Sequence, residues 1–403
     1  MKKLLFTCFL ALLVSTILAQ GSCLTTEQTL LEMERDATFA GGMEAFQVLS
    51  EAFEHGTLDD ASREGFKEVT IPVVVHVLYR LEENNISYDQ ILSQIEVLNR
   101  DFNWQQSDKD LIPEVWRDLG AAAKIKFKLA DRDPDGNFTN GVTRTQTDVE
   151  NIGTEELYYL AHRGGVAPWT QPFYMNIWVC ELKGNSLGFA ILPGSTMSKR
   201  DGVVISPRAF GTMGTAKPPY NLGRTMVHEA GHYFGLRHVW GSDNEKCGST
   251  DYIDDTPKQK AENYGCKTFP SISCNNGPNG DMFMNFMDYS NDVCALLFTK
   301  RQVEFMQLVL KTNRRAMFYS NGVTSVADPN LNEWKIYPNP STGVVHLEFG
   351  DTLPGKMELF NVMGEMVGQW IPANNIERWD LSSLPKGVYY LRSLGHHQSL
   401  ILR

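Results

Sequence analysis

Apolar positions along the chain fall into distinct regimes, and each predicts a different element. From Leu4 to Leu18 they run together without a polar face, behind Lys2 and Lys3 and ahead of the small residue Ala19. A basic start, an apolar run too short to span a bilayer, and a small residue together read as a secretory signal peptide over residues 1–19. From Leu24 to Glu64 the pattern is polar, acidic and helix-prone, with no strand signal. This stretch reads as a propeptide over residues 20–62, with a plain helical extension as the alternative.

A globular pattern follows over residues 63–322. Val69 to Tyr79 is rich in β-branched residues and predicts a buried strand. Ile91, Ile95, Leu98 and Phe102 recur at helical spacing behind Ser87, a suitable N-cap. Lys124 to Leu129 alternates as a half-exposed strand does, and Asn176 to Cys180, Gly188 to Leu192 and Val203 to Ser206 predict further short strands. Asn221 to Phe234 and Thr299 to Phe318 predict helices. Strands early and helices with long loops late make the class α+β. From about Ser325 to Arg403, short alternating strands (Val344 to Phe349, Lys356 to Asn361, Gly387 to Ser393) are punctuated by Gly and Pro, the pattern of a small β-sandwich.

Composition narrows the classes. With 403 residues, 42% hydrophobic and 21% charged, the chain suits two or three soluble domains. A formal charge of −11 argues against nucleic acid, whose affinity rests on cationic side chains. No segment after the signal is long and apolar enough to cross a membrane. Export permits disulfides. Four cysteines (Cys247, Cys266, Cys274 and Cys294) share one loop-rich stretch, and spacing alone leaves three pairings open. Cys23 and Cys180 are left over.

The chemistry concentrates in His228-Glu229-Ala230-Gly231-His232-Tyr233-Phe234-Gly235-Leu236-Arg237-His238. Residues four apart share a helix face, so His228 and His232 can aim at one ion. A third ligand ten residues on would lie about 15 Å along a straight helix, so His238 requires the chain to turn back, and Gly235 can do so in a left-handed conformation. Three protein ligands with one open position describe a catalytic zinc site, which acidifies water and polarises a carbonyl. Glu229, between the two helical histidines, is the candidate general base and acid. Downstream, Asn285-Phe286-Met287-Asp288-Tyr289 offers Met287 as a turn beneath the metal and Tyr289 as a phenol near it. A zinc-stabilised adhesin would need the histidines but not Glu229 or Tyr289. A small-molecule amidase would not need the edge strand expected in Asn176 to Ala190, which favours polypeptide substrates.

On these residues, with Asp254-Asp255-Thr256-Pro257 and Asn285 to Cys294 followed by Phe298-Thr299, the chain resembles the pappalysin family of metzincin metallopeptidases from about Val69 to Phe318. The resemblance implies an upper subdomain with a twisted sheet and helices, a lower irregular subdomain, and a cleft between them. It implies pairs Cys247–Cys274 and Cys266–Cys294. It places Asp292 at the base of the S1′ pocket, with a preference for Arg or Lys after the scissile bond. It also implies calcium near Asp251, Asp254 and Thr256. Asp131 to Gly136 looks like an EF-hand loop, but Val142 stands where the last ligand belongs, so the segment reads as a turn.

Cys23, in the expected propeptide, offers a thiolate that can cap the zinc; pairing with Cys180, or a free thiol, is the alternative. Ser62-Arg63 offers an Arg for self-cleavage. Over residues 325–403, Tyr337-Pro338-Asn339-Pro340-Ser341-Thr342-Gly343, Leu359 to Gly364 and Leu384 to Leu391 resemble the type IX secretion sorting domain, which implies that machinery as a partner and secretion as the destination. A carbohydrate-binding sandwich is the alternative.

Overall fold

The computed structural model describes residues 21–58, 66–194, 198–241, 247–320, 322–323, 335–349, 357–362, 365–374, 376–393 and 396–403. The expected signal peptide and the Ser62-Arg63 cleavage point lie outside the described residues.

The first elements are β1 (Ser22–Cys23), α1 (Thr25–Arg35) and α2 (Ala37–Glu54). Asp36 ends α1 in an extended conformation and caps α2, accepting from the amides of Thr38 and Phe39. Then come β2 (Val69–Tyr79), α3 (Tyr88–Phe102), the short α4 (Glu114–Arg117), β3 (Ile125–Leu129), β4 (Val142–Gln146), β5 (Met175–Val179), β6 (Ser186–Ala190) and β7 (Val203–Ile205). The helices α5 (Arg224–Tyr233) and α6 (Lys300–Lys311) complete this part.

These strands form a seven-stranded sheet in the order β1-β6-β7-β5-β2-β3, with β4 also paired to β2. Most pairs are parallel; β6 against β7 is antiparallel. β2 is buried at nearly every position, which is why it reads as a continuous apolar run rather than an alternation. Ser87 caps α3 as expected. The capping box of Thr299 and Gln302 starts α6, but the helix stops at Lys311, short of the predicted Phe318. α5 starts at Arg224 rather than Asn221, because Gly223 takes a left-handed conformation (φ 77°) and breaks the run. The predicted turn after Asp131 is built on Asp133, whose carboxylate accepts from the amides of Asp135 and Asn137.

The remaining strands are β8 (Lys335–Tyr337), β9 (Val344–Glu348), β10 (Met357–Asn361), β11 (Met366–Trp370), β12 (Ile376–Asp380), β13 (Gly387–Ser393) and β14 (His396–Leu402). They form two antiparallel sheets, β11-β10-β13-β14 and β12-β9-β8. Val345, Leu347, Leu359, Leu391 and Leu400 make a separate core for this unit. Four of its strands escaped the sequence reading, as they are short or their apolar positions are interrupted by charged, polar or glycine residues.

Candidate metal centre and cleft

Every residue of α5 is buried, including its histidines and Glu229. One face packs on β6, where a Cβ at Gly188 would stand 3.0 Å from the Glu229 side chain. Another rests on Met287: a Cβ at Gly231 would meet the Met287 Sδ at 2.5 Å. Met287 therefore lies directly against the helix between its two histidines. At the far end, the Leu236 amide donates to the Gly231 carbonyl and the Gly235 amide to the His232 carbonyl, with Gly235 at φ 95°. This is a Schellman turn, and it reverses the chain toward His238.

The three imidazoles converge. His232 Nε2 lies 3.1 Å from His228 Nε2 and 3.0 Å from His238 Nε2. His228 Nδ1 is 2.7 Å from the Phe286 carbonyl, and His232 Nδ1 is 2.7 Å from the Leu236 carbonyl. A carbonyl can only accept, so each Nδ1 carries the proton and each of these Nε2 atoms presents a lone pair. Lone pairs facing at 3 Å repel unless a cation lies among them. A tetrahedral zinc with bonds of about 2.0–2.1 Å would space its nitrogens by ~3.3 Å. The donor set therefore fits zinc. Burial depresses all three imidazoles, His228 to about 4, which keeps them neutral and able to ligate. His238 is held flat against Trp240 with ring centres 4.3 Å apart.

Cys23 Sγ completes a fourfold group with the three histidines, all ligand atoms lying within 4.8 Å of one another. The thiol is 3.4 Å from Glu229 Oε2. Burial, and then the nearby Glu229 carboxylate, push its pKa up; a dication at the three nitrogens reverses that sign. Glu229 is fully buried, and burial pushes its carboxyl up to about 8. Its Oε2 accepts from the Thr25 hydroxyl at 3.3 Å, while its Oε1 has no partner among the described residues. The Tyr289 hydroxyl donates to the Cys23 carbonyl at 3.1 Å, above His228 and His238.

The segment carrying Cys23 adds to the sheet as β1, parallel to β6, with Ser22 opposite Ser186 and Cys23 opposite Gly188. Beyond Ser22 lies a pocket lined by Gly21, Leu187, Tyr220, Arg224 and Asp292, continuous with His228, Glu229 and Tyr289. Asp292 is 2% exposed, and its Oδ2 accepts from the amides of Leu222 and Arg224. Burial raises its carboxyl to about 6. The Arg224 guanidinium is turned to Asp101, Asp108 and the Asp292 backbone carbonyl.

In the loop-rich half, Cys247 is bonded to Cys274 and Cys266 to Cys294, while Cys180 is a buried free thiol. The residues implied for calcium are divided. Asp251 is buried and accepts from the Thr256 hydroxyl at 2.8 Å, whereas Asp254 turns outward to Arg301 at 2.8 Å. An ion on Asp251 and Thr256 therefore has no ready share in Asp254.

Several participants escaped the sequence reading. Thr25 reaches Glu229 and also accepts from the Ala190 amide at 2.9 Å; only placing Cys23 at the metal points to it. Asp288 holds the turn after Met287 by accepting from Gln259, Asn263 and the Tyr289 amide. The Phe286 and Leu236 carbonyls that orient the histidines are backbone atoms and carry no side-chain signal.

Comparison with known proteins agrees with this geometry. The family described as pregnancy-associated plasma protein-A matches residues 166–311, and the one described as a secretion system C-terminal sorting domain matches residues 335–401. An extracellular metalloprotease of Pyricularia oryzae is 31% identical over 268 residues, 63% of this chain and 77% of the relative. The fold is similar to Tannerella forsythia mature mirolysin in complex with a cleaved peptide, with 46% identity, TM-score 0.63, and coverage of 65% of this chain and all of that one. It is also similar to a T. forsythia promirolysin mutant, with 41% identity, TM-score 0.66, and coverage of 76% of this chain and 99% of that one.

Proposed function

The chain belongs to the pappalysin family of secreted zinc metallopeptidases and ends in a secretion sorting domain; from that premise we propose that it is made as a latent endopeptidase that cuts protein chains before Arg or Lys. The observation that carries this is the convergence of three imidazole nitrogens beside Glu229, in a cleft edged by β6.

His228, His232 and His238 would hold the ion, and zinc there would supply Lewis acidity toward a water and the scissile carbonyl. Glu229 takes the proton of the attacking water and returns it to the leaving amine. The Tyr289 hydroxyl donates to the carbonyl oxygen of the bound chain, as it does to Cys23. Met287 braces the helix from below. Substrate extends along β6 by adding a strand, and Asp292 receives an Arg or Lys side chain at the foot of its pocket, Arg favoured by two-point pairing.

Residues 20–62 serve as the pro-segment. Cys23 would be the fourth ligand of the ion, Thr25 occupies Glu229, and β1 blocks the edge strand. Supporting this is the wider span of promirolysin, 76% of this chain against 65% for the mature form. Activation follows cleavage near Ser62-Arg63, leaving a catalytic domain over residues 63–322, and the type IX machinery removes residues 325–403 on export. The test is cleavage-site profiling on a proteome-derived peptide library. Wild type should cut before Arg and Lys, Asp292→Ala should lose that preference, and Glu229→Ala should not cut or lose its own first sixty-odd residues. Self-processing by pure Glu229→Ala, or a cleavage pattern indifferent to Asp292, would overturn the corresponding part.

A further inference from the structure

At the end of the cleft opposite Asp292, the pro-segment buries a charge in the catalytic domain. Arg200 is 3% exposed. Its Nη1 donates to Glu32 Oε2 at 2.6 Å and its Nη2 to Gln28 Oε1; the Ser198 hydroxyl donates to the other Glu32 oxygen at 2.5 Å. Glu32 and Gln28 both belong to α1. On the catalytic side, Glu156 lies 3.8 Å from Arg200 Nη2, and it is itself paired with Arg35 of α1. Arg200 Nε has no partner among the described residues. When α1 departs, the guanidinium loses Glu32 and Gln28, and Ser198 loses its acceptor. Glu156 and the Tyr158 hydroxyl, which also lies against the guanidinium, can then meet part of the fork, while the side that faced α1 and the Ser198 hydroxyl lose the Glu32 carboxylate. An Arg fork with an adjacent hydroxyl is built to receive a carboxylate.

The position of this site follows from the strand register. Asp292 shares its pocket with Leu187, at the start of β6, while Thr25 meets Ala190 at its end. Ala190 pairs with Val203, and Arg200 precedes Val203 by three residues, so Arg200 lies beyond the Ala190 end. If Asp292 takes the side chain after the scissile bond, Arg200 faces the chain before it. From Thr25, which touches Glu229, seven helical residues reach Glu32, a rise of about 10 Å. An extended substrate covers that in about three residues.

We propose that the site formed by Arg200 and Ser198, filled by Glu32 before activation, recognises an acidic side chain of the substrate about three residues before the scissile bond. Arg200 is a specificity-determining residue, and Glu32 is the pro-segment's imitation of the substrate acid. The inference rests on reading residues 20–62 as the pro-segment and the Asp292 pocket as S1′.

The experiment compares peptides with Arg after the scissile bond that carry Glu or Gln at the second, third or fourth position before it, using zinc-loaded full-length protein after activation. Wild type should favour Glu over Gln about tenfold in kcat/KM at one of these positions, the effect of one charge-assisted pair. Arg200→Lys should keep part of the ratio and Arg200→Gln should bring it to one. Arg200→Glu should instead favour a Lys-bearing peptide. A wild-type ratio near one at all three positions overturns the proposal without recourse to any variant, as does a ratio that survives in Arg200→Gln. Cleavage of the Gln peptides before Arg reports on the parent reading separately: equal rates on Glu and Gln refute only the Arg200 site, and cleavage of neither overturns both.

Discussion

Replacing Gly231 with Ala sets two opposing effects against each other at the metal helix. Gly231 sits inside α5 with ordinary helical backbone, so Ala gains about 1 kcal/mol in helix propensity. Its Cβ would stand 2.5 Å from Met287 Sδ, 3.4 Å from Met287 Cε and 3.3 Å from the Phe298 ring. Against an ordinary contact of about 3.5–4 Å, the thioether must retreat by roughly 1 Å. Met287 is fully buried, and such overpacking costs about 1–3 kcal/mol. The variant should therefore be destabilised by about 0–2 kcal/mol. Because His228 and His232 flank the displaced turn, zinc affinity should fall about 10–100-fold, as when groups supporting a ligand are disturbed. Met287→Ala alone should cost about 2–5 kcal/mol for its cavity. In that background the main clash is gone, and Gly231→Ala should now stabilise, giving a coupling of about 1–3 kcal/mol. Thermal unfolding of the four zinc-loaded proteins, with chelator competition for zinc content, makes the measurement. A Gly231→Ala effect of the same sign in both backgrounds would refute the claim that Met287 braces this face.

Asp292 is raised to about 6 by burial, so it is charged above that pH and largely neutral below it. Selectivity for Arg over citrulline after the scissile bond should rise as pH climbs through about 6, with Asp292→Asn giving a flat, low ratio; a pH-independent wild-type ratio would contradict the assignment. The same upward shift favours the folded state at low pH and is lost as pH rises from about 4 through 6, so Asp292→Asn should gain melting temperature relative to wild type over that interval. Cys23→Ser should shorten the lag before activity appears in freshly zinc-loaded protein, and an unchanged lag would leave Cys23 with no part in latency. Calcium at fixed zinc occupancy should raise the melting temperature through the buried carboxylate of Asp251 and fail to do so in Asp251→Asn; identical curves with and without calcium would rule the site out.

Much of the metal centre was legible because its chemistry dictates spacing. A step of four residues between helical ligands and a glycine before the third are demands of geometry, and His228, His232, Gly235 and His238 meet them in sequence. β2 was legible because burial on both faces leaves an unbroken apolar run. What escaped depends on distant chain segments. The two-residue strand Ser22–Cys23 has no periodicity to detect and exists because the β6 edge pairs with it. Gly231 and Gly188 look like ordinary helix and strand glycines until Met287 and Glu229 are placed against them. Arg200 and Glu32 are separated by 168 positions, and nothing in either neighbourhood announces the pair. The surroundings of the residues implied for calcium were illegible for a related reason: Asp254 belongs to a dense acidic cluster, and nothing in the sequence tells that Arg301 pairs with it.

The polarity of β1 explains how a peptide can lie across the catalytic groups and remain intact. Running parallel to β6, it directs the Cys23 side chain at the three imidazoles and the Cys23 carbonyl at Tyr289. A sulfur therefore stands at the fourth position of the metal group, where the mechanism requires a water, and the one carbonyl oxygen close by is already held by the phenol. Glu229 meets a thiol and the Thr25 hydroxyl instead of a water. Every group needed for hydrolysis is engaged, and none is aimed at a peptide bond. Latency on this reading requires no distortion of the catalytic residues. It follows that loss of the segment restores a competent site without rearrangement of α5 or Met287, so amide exchange in α5 should be equally slow before and after activation. Faster exchange in the latent form would show that the helix itself is remodelled.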